Sequence, residues 1–137
     1  MSDENTNLEA GYALFSEIYG KDMADGCREF GESGAGFGSL QAKWSLEFPF
    51  GQIWTRTDEL PRKLRSFAVI GMLVGQGQYE EIKYHTKMGI ANGLTRKELE
   101  EIFYSALVYC GFPAANTAKA AMLAGFAELE AEGKTIP

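Results

Sequence analysis

His85 is the one histidine in the chain, and imidazole is the side chain whose ordinary pKa lies near neutrality, so it is the natural group to give or take a proton at working pH. Glu81 precedes it by four residues. On a helix that spacing puts carboxylate and ring on one face, where the carboxylate can orient the ring and raise its pKa. Gln78 and Asn92 fall near the same stripe. A surface or structurally hydrogen-bonded histidine would show the same spacing, so a catalytic role depends on what surrounds the ring. Arg56, close to Trp54, and Arg65, at the end of Arg62-Lys63-Leu64-Arg65, carry forked donors suited to clamping a carboxylate. Arg62 and Lys63 read more readily as solvated charges.

Other reactive side chains offer less. Cys27 and Cys110 are far apart, there is no Cys-x-x-Cys and no second histidine, so no metal site is expected. Cys110 follows Tyr109 on an apolar stripe with no adjacent base, which predicts an inert core thiol of raised pKa. Cys27 neighbours Arg28 but also Asp25 and Glu29, and nothing marks it as activated. Two reduced thiols are the default expectation. Gly31, Gly34, Gly36 and Gly38 lack the preceding strand and the Gly-Lys-Ser/Thr ending of a phosphate cradle, so this run reads as a mobile loop.

These groups must be positioned by a chain of 137 residues with 45% hydrophobic content, the size and composition of one continuous core. The expected organisation is a single domain over residues 1–137, with an N-terminal helix and glycine-rich loop in 1–38 and a helical core in 39–132. Thirteen Lys and Arg against nineteen Asp and Glu give a net charge of -6, a field that repels a phosphate backbone, so nucleic acid is not an expected partner. Met1 to Glu9 is polar and acidic, unlike a signal peptide. The longest apolar stretch, Phe67 to Gly75, falls short of the ~20 residues that cross a bilayer. A cytoplasmic protein with no membrane contact is expected.

Leu8, Tyr12, Phe15, Ile18 and Tyr19 recur at helical spacing and predict a first helix near residues 6–20. Leu40 to Arg56 reads as helical with a kink or break at Pro49, which lacks an N–H and crowds the preceding turn. Leu60 to Val74 follows, with Pro61 suited to a first turn and Leu64, Phe67, Ala68 and Leu73 expected to be buried. Tyr79 to Ala91 ends at Asn92-Gly93, a favourable left-handed stop. Thr95-Arg96-Lys97-Glu98 is a capping box that opens the next helix, whose stripe is Leu99, Ile102, Phe103, Ala106 and Cys110. A last helix spans about Pro113 to Glu132, and its small residues permit close approach within the chain or between subunits. No alternating strand pattern is present, so the fold class is all-α.

The runs Phe50-Gly51-Gln52-Ile53-Trp54-Thr55-Arg56, Leu64-Arg65-Ser66, Glu80-Glu81-Ile82-Lys83-Tyr84-His85, Asn92-Gly93-Leu94-Thr95 and Tyr109-Cys110-Gly111-Phe112-Pro113-Ala114-Ala115-Asn116 resemble the carboxymuconolactone decarboxylase family in order and spacing, from about residue 46 to 126. The resemblance implies an all-helical domain of the alkylhydroperoxidase-D type with about six helices. It also implies a homo-oligomer, often a trimer or hexamer, and a pocket between helices near His85. No cofactor and no metal are implied, and the partner is a small-molecule acid or lactone.

In the redox branch of this superfamily a Cys-x-x-Cys precedes the histidine, and the corresponding positions here are Gln78 and Glu81. A dithiol peroxidase needs two sulfurs that can close a disulfide, so that chemistry is missing at this place. The decarboxylase branch fits better, with two departures: Gln52 stands where a glutamate is usual and Thr117 where a histidine is usual. The implied reaction is cofactor-free decarboxylation of a carboxylated lactone or related ring. Arg56 or Arg65 would hold the substrate carboxylate, His85, oriented by Glu81, would deliver the proton, and Trp54, Tyr84, Gln52 and Gln78 would contact substrate. The alternatives are a thiol-based peroxidase and a relative that binds small molecules without catalysis.

Overall fold

The computed structural model describes residues 3–137, and every regular element in that range is helical. Backbone contacts divide the chain into two units, with the division between Pro61 and Arg62. Each is considered by itself.

The first unit holds helices α1 (Asp3–Tyr19), α2 (Lys21–Ser33) and α3 (Ser39–Ser45), the last running directly into a π-helical segment, Leu46–Ile53. Leu8, Phe15, Ala24 and Leu46 form its core, with Phe50 standing edge-on to Phe15 at 5.0 Å between ring centres. The expected break at Pro49 takes the form of this wide turn. A proline ring collides with the carbonyl four residues back in an α-helix, and widening the turn to a five-residue repeat removes that demand; Trp54 N–H accordingly donates to the Pro49 carbonyl at 2.9 Å.

Two glycines let α1 lie directly on the π segment. A Cβ on Gly11 would sit 1.8 Å from the Leu46 carbonyl oxygen, and one on Gly51 would sit 2.3 Å from that of Asn7. The mobile loop expected at 31–38 is shorter than the glycine run. Helix α2 continues through Ser33, because Gly31 is buried where a Cβ would meet Lys43 N at 2.7 Å, so this glycine serves a close approach to α3. Gly34, at φ 61°, is the residue that ends the helix.

The second unit holds α4 (Arg62–Gln76), α5 (Tyr79–Ala91), α6 (Arg96–Tyr109) and α7 (Phe112–Ala131). Ile70, Val74, Ile82, Leu94, Leu99 and Ile102 meet the small residues Ala115, Ala118 and Ala121 in its core. Gly125 brings α7 against α5: a Cβ there would lie 3.0 Å from the Lys83 carbonyl oxygen and 3.2 Å from Thr86. The small residues of α7 therefore act, at Ala115, Ala118, Ala121 and Gly125, in packing within the chain. The capping box is complete. Glu98 N–H donates to Thr95 Oγ1 at 3.1 Å and Thr95 N–H donates to Glu98 Oε2 at 2.9 Å.

Helix α4 departs from expectation in its facing. Ser66, Ile70 and Val74 are the buried residues, Leu73 is partly buried, and Leu64, Phe67 and Ala68 lie exposed. From Phe67 to Gly75 the helix is apolar all round, so spacing alone offers several possible inner faces. None of the helices is long and apolar enough to cross a membrane among the described residues.

Candidate functional site

Helix α5 carries the histidine. Ile82, Thr86 and Gly89 point into the second unit's core, with the Thr86 hydroxyl donating to the Ile82 carbonyl at 2.7 Å, and this fixes the helix's rotation. On the α7 side, Lys83 and Lys87 reach across to Glu128 at 3.0 and 3.1 Å, and Lys87 also pairs with Glu132 at 2.7 Å. Lys83 is pushed up to about 12 by its hydrogen bonds with Glu128 and Glu80. With the lysines committed to α7, the stripe bearing Gln78, Glu81 and His85 is turned elsewhere.

His85 is half-buried and its Nδ1 atom is shielded from solvent. Burial pushes its pKa below the ordinary imidazole value, and the charge of Glu81 acts in the opposite direction without overcoming it. The expectation that Glu81 raises the pKa is thus correct for the direction of that one interaction and reversed for the net effect. Glu81 is exposed, so solvent screens its charge, and the desolvation of the half-buried ring is the larger influence.

Among the remaining candidates, Gln78 occupies the position before α5, where its carbonyl accepts from Ile82 N–H at 2.8 Å. Tyr84 is exposed, with the Lys83 ammonium 5.0 Å from its ring centre. Arg65 lies half-buried on α4, its Nε shielded from solvent. Asn92 donates to the fully buried Ser66 hydroxyl at 3.0 Å, which ties the end of α5 to α4.

In the first unit, Gln52 is exposed at the end of the π segment, its amide donating to the Glu47 carbonyl at 3.4 Å. Trp54 is buried at 5% exposure, and Arg56 is exposed in the turn that follows. The structure thus brings Gln78, Glu81 and His85 onto one helical stripe, and Gln52, Trp54 and Arg56 onto one short stretch of the other unit. Among the described residues, a cavity at α6 and α7 and another at α4 and α6 are lined by none of these residues.

The cysteines differ from expectation in one respect. Cys110 is exposed at the end of α6 and is no core thiol, because the helix stops there and the chain turns at Gly111. Cys27 is half-buried, its thiol pushed up by burial, near the Ala42 carbonyl at 3.7 Å. Both are free thiols and they belong to different units. Sequence reasoning overlooked the pairing of Lys83 and Lys87 with Glu128 and Glu132, since no local spacing joins residues more than forty positions apart.

Residues 42–124, more than half the chain, match the carboxymuconolactone decarboxylase family. The protein belongs to that family. It is 37% identical over 71 residues to the 4-carboxymuconolactone decarboxylase of Acinetobacter baylyi, covering 52% of each chain. To the nitrosuccinic acid decarboxylase of Metarhizium robertsii it is 40% identical over 67 residues, covering 49% of this chain and 46% of the relative. The chain thus spans about half the length of the curated relatives it matches.

Proposed function

We propose that the protein is a cofactor-free decarboxylase-like enzyme acting on a small acid whose departing carboxylate neighbours an electron-withdrawing group. The observation that carries this reading is the half-buried His85 on a helix inside the matched region. The relatives' names join a lactone acid and a nitro acid, two molecules in which the electron pair left by CO2 can be taken up by an adjacent group. Such an anion needs a cation near the carboxylate, a dry site, and a proton for carbon.

His85 is assigned as the general acid and Glu81 as the residue that positions it, with Arg65 receiving the substrate carboxylate and Tyr84 and Gln78 contacting substrate, all of them residues of the second unit. A lowered pKa leaves the imidazole neutral at pH 7 in the absence of substrate. A bound anion beside it favours the charged form, so the substrate itself loads the acid. We further propose that the site is completed on self-association. The outer face of α4 exposes Leu64 (54%), Phe67 (43%) and Met72 (64%) around Gly71 and Gly75, which have open space beside them, and apolar patches of this kind mark contact surfaces.

The test is CO2 release from 4-carboxymuconolactone and from nitrosuccinate, with light scattering for assembly. His85→Ala is expected to lower turnover by about 100-fold, the scale of losing a general acid, with unchanged mass in solution. Undiminished turnover removes His85 from the mechanism, and no CO2 release from either acid refutes the decarboxylase reading for these substrates. A monomer at micromolar concentration refutes self-association.

A further inference from the structure

A cavity of about 360 Å³ opens between α6 and α7, and it shares no residue with α5 or with any side chain assigned to the reaction. Its size is that of a site for a small organic ligand. The floor is apolar, made by Met122, Phe126 and Phe103, the first two of which belong to the core of the second unit. Two cations stand over that floor. The Arg96 guanidinium lies 4.7 Å from the Phe126 ring centre and the Lys119 ammonium 5.9 Å from that of Phe103.

These cations differ from four lysines of the same unit. Lys63, Lys83, Lys87 and Lys134 are each paired with a glutamate, whereas neither Arg96 nor Lys119 forms an ion pair among the described residues. The cavity's one carboxylate, Glu100, is engaged by the Tyr104 hydroxyl, whose pKa that contact raises. The lining therefore carries two positive charges against one negative, in a chain of net charge -6. A guanidinium stacked on an aromatic ring keeps its in-plane N–H donors free to take a carboxylate edge-on, while the ring surfaces accept a flat apolar body.

We infer that the α6–α7 cavity is a second ligand site, selective for a small aromatic or unsaturated carboxylate, its anionic end held by Arg96 and Lys119 and its ring laid on Phe103 and Phe126. Two positive heads over an aromatic floor exclude a cationic ligand and give an uncharged ring only the weaker part of the interaction. This assignment is independent of His85 and stands or falls separately from the reaction.

The test is a titration of the full chain with 4-fluorobenzoate followed by fluorine NMR, with 4-fluorobenzyl alcohol as the uncharged counterpart. Benzoate binding at least about tenfold tighter than the alcohol is expected, the scale of one charge-assisted hydrogen bond. Lys119→Gln changes an exposed side chain and should weaken benzoate by a similar factor with an unaltered circular dichroism spectrum. Arg96→Gln should do the same, and His85→Ala should leave the affinity unchanged. Equal affinity for acid and alcohol, or benzoate binding that survives Lys119→Gln and Arg96→Gln, overturns the assignment. So does loss of binding in His85→Ala, which would place the benzoate at the histidine.

Discussion

Gly51→Ala should be among the most damaging single-methyl additions available in the first unit. The added carbon would sit 2.3 Å from the Asn7 carbonyl oxygen and 2.9 Å from that of Leu46. An ordinary contact is about 3.4 Å or longer, so the first overlap is roughly 1 Å, and both atoms struck are backbone, which no rotamer change can move. Overpacking of a tight core costs about 1–3 kcal/mol, and an overlap that can be relieved only by separating α1 from the π segment belongs at the upper end. At 3 kcal/mol the melting temperature falls by roughly 10 °C for a chain of this size. Gly26→Ala is the matched control: it lies within α2, exposed, with nothing within 4 Å of the new carbon, and should stabilise by about 0.5–1 kcal/mol. Urea unfolding of both variants at one fixed protein concentration measures the pair. If Gly51→Ala costs less than about 0.5 kcal/mol, the close backbone approach does not exist as described.

Three further outcomes follow from contacts in the second unit and from the thiols. NMR titration of the His85 ring should give a midpoint below 6.5, and Glu81→Gln should lower it further, since Glu81 opposes the effect of burial. Because the folded ring resists protonation that the unfolded chain accepts, this residue's contribution to stability is intact above pH 6.5 and is lost as the pH falls below it, whereas Glu98, Glu128 and Glu132, whose pKa values are lowered by Lys63, Lys83 and Lys87 respectively, lose theirs only below about 4.5. Adding a substrate-class acid should raise the His85 midpoint. Thr95→Ala removes one half of the capping box and should cost about 1 kcal/mol in urea unfolding. An aromatic disulfide reagent should label Cys110 at once and Cys27 more slowly, since the first is exposed and the second is half-buried with a raised pKa; equal rates would contradict the assigned burial.

Elements whose ends are marked by local chemistry were readable in the sequence. Helix α5 runs from Tyr79 to Ala91 as its Asn-Gly stop predicts, and α6 begins at its capping box. The shared stripe of Gln78, Glu81 and His85 followed from helical spacing. What escaped depends on non-local packing. Gly31 reads as a loop residue until α3 is seen against it, and the inner face of α4 is undetermined when Leu64, Phe67, Ile70 and Val74 are all apolar. The net direction of the His85 pKa could not be read from its neighbours in sequence, because burial, the larger influence, is a property of the folded chain. Nor does any linear spacing bring Arg96 and Lys119 to one cavity.

The clasp between α5 and α7 has one more implication. Gly125 sets how deeply the two helices settle together, and Lys83 and Lys87 lock the angle at which they do so. The imidazole is therefore aimed by a helix on which it does not reside, as a sight is trued by its mount. Side chains of α7 are in a position to shift the titration of His85, and variation there is to be judged by that titration as well as by the melting curve.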